Sequence, residues 1–334
     1  MANSTVAETL FTGTASGPVT GSASAPVVAV LAPCLNEAGA IAMVVADFQR
    51  VLPGATVFVY DNGSTDGTPK VAEAAGAIVR HQPLRGKGNV VRQMFADIEA
   101  DVYVLVDGDD TYDADVAPQL IDKLVNESLD MVNGARVTDS RGAYRPGHRL
   151  GNQLLSGTVA WFFGNRLGDL LSGYRVFSRR FVKSFPALSG GFEIETEFTV
   201  HALQLRMPIA ELPTNYRDRP AGTASKLSTY RDGWRILRTI AFLVKEERPL
   251  AFFSTLAIVL MLASLGFGFS VVVEYLETGL VPRAPTALLA SALMILSFLS
   301  MTCGLILDSV TRGRVEAKRL AYLGVPIRFR DHRP

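Results

Sequence analysis

Cysteine is nearly absent. Cys34 and Cys303 are the only two, too few for a disulfide framework or a cysteine zinc site. Charge of one sign is also missing. Lys and Arg total 33 against 32 Asp and Glu, a net charge of +1. Nucleic-acid-binding proteins usually carry a strong basic excess, so that class is disfavoured. Histidine is scarce: His81, His148, His201 and His332 fall in no recognisable catalytic pattern. They read as structural, with His148 placed to support its neighbour Arg149. Glycine (29) and proline (17) are too few for a fibrous or wholly disordered chain. No internal repeat is visible, and 334 residues suit one large domain or two ordinary ones. Residues 1–25 are rich in Ala, Ser, Thr and Gly. They lack the basic start and apolar core of a signal peptide, and read as a disordered tail.

Long hydrophobic runs are present, and they explain a positive mean hydropathy of +0.22. Leu250 to Val273 and Ala284 to Leu307 contain no charged residue. A helix needs about 20 residues to cross a ~30 Å hydrocarbon core, so both runs suffice. The alternative is a pair of buried helices in a soluble core. Glu274, Glu277 and Arg283 occupy the short connector, which makes the pair a hairpin. Arg238, Lys245 and Arg248 precede it, and Arg312, Arg314, Lys318 and Arg319 follow it. Cytoplasmic flanks are enriched in Lys and Arg, so both flanks and the large N-terminal domain are expected in the cytoplasm. Trp234, Leu237, Ile240, Ala241 and Val244 recur at helical spacing among Arg231, Arg235, Arg238 and Lys245. This predicts an amphipathic helix over 229–248, either at the membrane interface or packed on its own domain.

Upstream, strand-like runs alternate with helix-like segments. Val27–Leu31, Thr56–Tyr60 and Val102–Val106 are continuous apolar runs, with Ala77–Val79 weaker. Ile41, Val44, Val45 and Phe48 show helical periodicity between two of them. Alternation of this kind implies a parallel sheet covered on both faces. Ligands of such sheets bind beyond the carboxyl ends of the strands. Pro33-Cys34-Leu35-Asn36-Glu37, Asp61 to Thr68, and Asp107-Gly108-Asp109-Asp110 follow the three strong runs. Three acidic clusters on one edge suit a cation, or ligand hydroxyl and ring N–H groups.

Within Asp107-x-Asp109, Gly108 frees the backbone so that both carboxylates can turn to one point. Oxygen donors of this kind suit Mg²⁺ or Mn²⁺ beside substrate phosphates, although a plain turn fits the same residues. Asp61 stands at a strand tip, and Asp66 reads as a helix N-cap. Arg85-Gly86-Lys87-Gly88-Asn89 is a basic loop that opens a helix, a place that attracts phosphate. It lacks the Walker A spacing, and a solvated loop is the alternative.

Taken in order, Pro33-x-x-Asn36-Glu37, Asp61-Asn62-Gly63-Ser64-x-Asp66-Gly67-Thr68, Gly86-Lys87-Gly88 and Asp107-x-Asp109 resemble glycosyltransferase family 2 with its GT-A fold. Asp169-Leu170-Leu171-Ser172-Gly173-Tyr174-Arg175 and Arg219-x-x-Gly222-x-x-Ser225-Lys226 are similar to stretches of the polyprenyl-phosphate (dolichol-phosphate) sugar synthases. The resemblance spans about Val27 to Arg319. It implies an α/β fold: a GT-A, Rossmann-like nucleotide-sugar domain with a mostly parallel sheet (26–228). The amphipathic interfacial helix (229–248), a two-helix transmembrane hairpin (249–308) and a basic cytoplasmic tail (309–334) would follow. It further implies that Pro33, Glu37 and Asp61 hold base and ribose, that Lys87 joins the nucleotide site, and that Asp107 and Asp109 bind metal. Arg136 and Arg149 would take the acceptor lipid phosphate, and Arg219, Ser225 and Lys226 would close over the donor diphosphate.

The expected reaction is inverting transfer of a monosaccharide from a nucleotide-sugar to polyprenyl phosphate, with UDP favoured over GDP. A lipid phosphate is already anionic near neutral pH, its second pKa being near ~6, so no strong general base is needed. The cofactor would be Mg²⁺ or Mn²⁺, the expected setting is a bacterial inner membrane, and no nucleic acid is expected as a partner. Gly266, Gly268 and Gly304 offer small residues for helix packing in a homo-oligomer. The alternatives are a chain-extending polysaccharide synthase and a non-catalytic nucleotide-sugar-binding membrane protein. In the acidic segment Gly191 to Glu197, Glu193 and Glu197 would share a helical face. They are expected to pair with Arg175 or Arg206, or else to touch metal or sugar.

Overall fold

A computed structural model describes residues 25–137, 157, 168–217, 245, 246 and 248–326. The element order is β1 (Val28–Cys34), α1 (Ile41–Val51), β2 (Thr56–Asp61), α2 (Thr68–Ala74), β3 (Ile78–His81), α3 (Lys87–Asp97), β4 (Val102–Leu105) and α4 (Ala117–Asn126). Then come β5 (Met131–Val137), β6 (Arg175–Ser178), α5 (Arg179–Ser184), α6 (Ile194–Leu205), β7 (Ile209–Asn215), α7 (Pro249–Thr278) and α8 (Ala284–Leu323). The expected disordered tail and nearly all of the expected amphipathic helix lie outside the described residues.

The strands form one sheet in the order β3-β2-β1-β4-β6-β5-β7. All run parallel except β6, which is antiparallel to both β4 and β5. The mostly parallel α/β sheet read from the sequence is therefore observed. Alternate residues serve opposite faces. Val30, Val104 and Val176 join Phe48 on one side. Leu31, Tyr103 and Phe177 join Phe95, Phe181 and Phe198 on the other. Helices cover both faces, which is why these strands read as continuous apolar runs.

β1 continues three residues past the expected Leu31. Pro33 is tolerated there because pairing to β4 ends at Leu31↔Leu105, where a missing N–H is no longer needed. From β1 the chain steps outward to β2 and β3, then returns to the other side of β1 as β4. This reversal opens a crevice between the ends of β1 and β4, the place where open α/β sheets bind ligands.

Helices α7 and α8 are 30 and 40 residues long and apolar enough to cross a membrane. Large apolar side chains such as Phe269, Leu276, Leu288 and Phe298 point outward. A soluble core pair would bury them. Hydroxyls join the two helices: Ser264 Oγ donates to Ala290 O (2.7 Å), Ser297 Oγ to Ala257 O (2.7 Å) and Ser300 Oγ to Phe253 O (3.0 Å). Such bonds and small residues are the usual means of packing helices in lipid. Gly304 works inside the hairpin, since a Cβ there would meet Phe253 Cβ at 3.0 Å. Glu274 and Glu277 belong to α7, so the connector shortens to residues 279–283.

Past residue 308, α8 stays helical to Leu323 through the segment read as a tail, and it docks on the domain. Tyr322 Oη donates to Asp130 Oδ2 (2.8 Å), and Lys318 Nζ donates to Gln204 Oε1 (3.0 Å). Asp130 is fully buried and also accepts both arms of Arg180, whose guanidinium lies 4.3 Å from the Tyr322 ring centroid.

Beneath this contact lies His201, buried between Phe181 and Phe185 and hydrogen-bonded to Ser184 Oγ. Burial, and then the charge of Lys318, push its pKa down to about 3. The unfolded chain binds that proton below its ordinary pKa of about 6.5. Stability is therefore expected to fall as pH drops from about 6.5 toward 3, by roughly 1 kcal/mol per pH unit. Denaturation of the full chain in detergent checks this: His201→Phe should flatten the dependence, and an unchanged slope would refute it.

Candidate active site

The site is assembled from the ends of β1, β2 and β4. The β2 end supplies the scaffold. Asp61 accepts from Gly63 N (3.0 Å) and Ser64 N (3.2 Å), with His81 Nδ1 3.1 Å away. Its side chain is only 3% exposed, so the carboxylate closes its own turn. Ser64 Oγ then accepts from Asn36 N (2.8 Å), and Asn36 Oδ1 accepts from Thr65 N (2.8 Å). Asn36 adopts the left-handed region (φ 56°), which asparagine tolerates better than most residues. Thr68 Oγ1 accepts from Glu37 N, and Asp66 accepts from Ala38 N and Thr68 N. Asp66 is therefore not the N-cap expected of it: Gly67 (φ 87°) holds that position, and Asp66, one residue earlier, accepts from the first helical N–H and anchors the loop after β1.

Asn62 ties in the basic loop. Its Nδ2 donates to Gln82 O (3.0 Å) and Leu84 O (2.8 Å), and its Oδ1 accepts from Gly86 N (2.7 Å). Gly86 (φ +124°) and Gly88 press against the backbone of Ser189 and Gly190. A Cβ on either would lie about 2 Å from a carbonyl oxygen, at 2.1 Å and 2.0 Å. That close approach turns Lys87 inward, with a side chain only 7% exposed. Its ammonium donates to Asp107 Oδ1 (2.5 Å) and Glu195 Oε1 (2.7 Å). Burial disfavours this charge, but the two carboxylates outweigh it and raise the Lys87 pKa. Burial raises that of Glu195, with Asp107 adding to the rise and Lys87 opposing it.

Asp109 is buried and accepts from Thr111 Oγ1 (2.7 Å). Gly108 between the two aspartates faces Cys34: a Cβ there would sit 2.4 Å from Sγ. The Cys34 thiol reports the local field. Burial raises its pKa well above the ordinary value, and Glu37, Asp107, Asp61 and Asp109 each push it further.

The far wall comes from β5 and the loop before β6. Arg136 forms a two-armed bond with Asp169 (2.6 and 2.8 Å) and lies 5.5 Å from the Tyr216 ring centroid. Burial works against the Asp169 charge, but Arg136 prevails and lowers its pKa. Tyr216 packs on Tyr112 (5.2 Å), whose hydroxyl accepts from Gly173 N (2.8 Å). Gly173 faces Asp107. Arg175 is fully buried and donates to Leu170 O, Ser172 O and Thr199 Oγ1, fixing this loop from below. Burial pulls its pKa down to about 10.

The structure therefore gathers Pro33, Glu37, Asp61, Lys87, Asp107 and Asp109 on one edge, with Arg136 on its far wall. Arg149, Arg219, Ser225 and Lys226 lie outside the described residues. The acidic segment differs from expectation. Glu195 pairs with Lys87, and Glu197 accepts from Leu188 N and Ser189 N. Glu197, expected with Glu193 to pair with Arg175 or Arg206, meets neither, because Arg175 donates to Leu170 O, Ser172 O and Thr199 Oγ1 and Arg206 caps the far end of α6. Sequence reading also missed Asn62 as an anchor and Gly173 as the residue opposite Asp107.

Among the described residues, no three His, Cys, Asp or Glu side chains stand together as a metal cage. Asp107 and Asp109 offer oxygens only. Mg²⁺ and Mn²⁺ suit such a donor set, because one or two carboxylates with substrate phosphates and water complete their shell.

The sequence profile of "Glycosyl transferase family 2" matches residues 29–184, from β1 through α5. Glycosyltransferase AglJ of Haloferax volcanii is 38% identical over 250 residues, covering 74% of this chain and 82% of the relative. This chain belongs to glycosyltransferase family 2. It is an enzyme, a glycosyltransferase. A dolichyl-phosphate hexose transferase of the same organism is 30% identical over 220 residues, covering 66% of this chain and 95% of the relative. Glucosyl-3-phosphoglycerate synthase from Mycobacterium tuberculosis, solved with Mn²⁺, UDP and glucosyl-3-phosphoglycerate, shares the fold. Its TM-score is 0.55 at 24% identity, over 66% of this chain and 79% of that one.

Gly173→Ala tests the packing of the site. Its Cβ would fall 2.3 Å from Asp107 Oδ2, and the carboxylate must move. Misplacement by about 1 Å can cost roughly 10²-fold in rate. Turnover is expected to fall by about that factor with the melting temperature nearly unchanged. Full activity would show that the Asp107 position is not critical.

Proposed function

We propose that this glycosyltransferase moves a hexose from a nucleotide-sugar, a UDP-sugar in preference to a GDP-sugar, to polyprenyl phosphate, with inversion at the anomeric carbon. The supporting observation is the union in one chain of an acidic, lysine-clamped strand edge and a hairpin long enough to span a bilayer. The relative called a dolichyl-phosphate hexose transferase supports the same acceptor class. Lys245, Arg248, Arg312, Arg314 and Lys318 flank the hairpin, which supports a cytoplasmic catalytic domain, in a bacterial inner membrane.

A phosphate oxygen of the acceptor attacks the anomeric carbon. The bond from that carbon to the nucleoside diphosphate breaks, and the electron pair leaves with the diphosphate. No proton must be removed from the acceptor, since its phosphate is already anionic. The protein's task is to bring anions together and to stabilise the leaving group. Mg²⁺ or Mn²⁺ held by Asp107 and Asp109 would supply charge neutralisation for the diphosphate. Lys87 keeps Asp107 and Glu195 close despite their mutual repulsion and adds a cation beside the diphosphate site. Pro33, Glu37 and Asp61 border the nucleoside side. Arg136, oriented by Asp169 and Tyr216, borders the acceptor side; the resemblance gives Arg149 a part in binding the acceptor phosphate and Arg219, Ser225 and Lys226 a part in binding the donor diphosphate.

Asp109→Asn is expected to lower turnover by about 10²-fold or more while leaving folding and membrane insertion intact. Unchanged activity would move the metal site elsewhere. The function itself is tested by giving the purified chain polyprenyl phosphate, Mg²⁺ or Mn²⁺, and a panel of UDP- and GDP-sugars. A metal-dependent lipid-linked sugar from one donor is expected. Nucleotide binding with no lipid product would contradict the acceptor assignment.

A further inference from the structure

Three large apolar side chains stand out on the surface of the catalytic domain beside the Lys87 loop. Leu84 is 62% exposed, Leu188 68% and Phe192 59%. They flank a single seam, where Gly86 and Gly88 press on Ser189 and Gly190. The backbone there is fixed. Glu197 holds the N–H groups of Leu188 and Ser189 (2.9 and 2.8 Å), and Arg92 donates to Ala187 O and Leu188 O (2.8 and 3.4 Å). The result is a rigid rim with apolar side chains turned outward and Arg85 and Arg92 exposed beside them.

The long helix gives the height of this rim. Helices α8 and α6 run in the same sense along the domain, because Lys318 meets Gln204 and, one turn on, Tyr322 meets Asp130, whose N–H donates to Pro208 O just past the end of α6. Ten residues back along each helix, from 318 to 308 and from 204 to 194, is about 15 Å on both. On parallel courses Asp308 would stand near the level of Ile194, adjacent to Glu195. Asp308 is also the first charge after the apolar run that ends at Leu307. Gly304 packs against Leu250 at the start of the other apolar run, so both runs end at one level. If the hairpin spans a bilayer, the hydrocarbon boundary then falls near the active edge of the sheet.

We infer that Leu84, Leu188 and Phe192 form a membrane-docking rim that enters the lipid headgroup layer beside the active site. Apolar side chains next to Arg are the composition that partitions into this layer. The rim continues the interface already made by the hairpin, and it holds the Lys87 side of the site against the bilayer surface. The inference rests on the hairpin spanning a bilayer, as in the proposed function, but not on the identity of donor or acceptor.

The test uses the full chain in phosphatidylcholine and phosphatidylglycerol vesicles. Cys34 is buried, so labelling is confined to Cys303 and introduced cysteines. Cys303→Ser is combined singly with Leu188→Cys, Phe192→Cys, Leu84→Cys or Val27→Cys, and each is labelled with an environment-sensitive fluorophore. Val27 is 60% exposed but stands at the opposite edge of the sheet. Doxyl groups near the headgroup are expected to quench labels at 84, 188 and 192 several-fold more than at 27. A label on Cys303 of the unaltered chain is expected to be quenched by deeper doxyl groups. Quenching at 303 with none at the three rim positions overturns the rim and leaves the spans intact, making the patch a surface for some other partner. No quenching at 303 overturns the membrane-spanning reading itself.

Discussion

The bridge from Lys87 to Asp107 and Glu195 is the interaction on which the rest of the structure depends. It joins the start of α3, the end of β4 and the start of α6, three segments with no local reason to meet. Removing the ammonium would leave a half-buried carboxylate and a buried glutamate facing each other, a costly arrangement. Much of the unusual local structure exists to permit the bridge. Gly86 and Gly88 let the loop close against Ser189 and Gly190, Asn62 holds its backbone, and Gly173 leaves space for Asp107.

The same geometry links chemistry to the bilayer. The sheet directs its acidic edge one way, and the helix that carries the second apolar run extends down the side of the domain to its opposite edge. Because α8 is continuous across that distance, the domain is strapped to the hairpin rather than tethered by a loose tail. Asp130, Arg180 and Tyr322 lock the lower end of the strap. With the polyprenyl phosphate acceptor proposed above, this fixed height would matter, since the two reacting groups would approach from different phases.

Local patterns told the most. β1, β2 and β4 were readable because buried parallel strands are continuous apolar runs, and the acidic residues after them fell on one edge as the strand rule requires. The two apolar helices were readable from length and freedom from charge. Pairings between distant segments were not. Lys87 and Glu195 lie 108 residues apart, and neither position signals the other. Glu193 and Glu197 looked suited to Arg175, whose complete burial among carbonyls cannot be read from its neighbours. Asp61 looked like a ligand from its place at a strand tip, and its inward turn toward Gly63 and Ser64 appears only in three dimensions. The helical course of residues 309–323 was obscured by their charge, which marked the end of the apolar run but not the end of the helix.

The central claim is that the edge bearing Lys87, Asp107 and Asp109 is the reaction centre and takes a metal–nucleotide complex. The most direct measurement is anomalous scattering from Mn²⁺ in crystals of the full chain grown with uridine diphosphate. One Mn²⁺ peak within bonding distance of Asp107 and Asp109, with the diphosphate beside Lys87, is the result this account requires. Nucleotide bound at another edge of the sheet, or a Mn²⁺ peak remote from both aspartates, would contradict it.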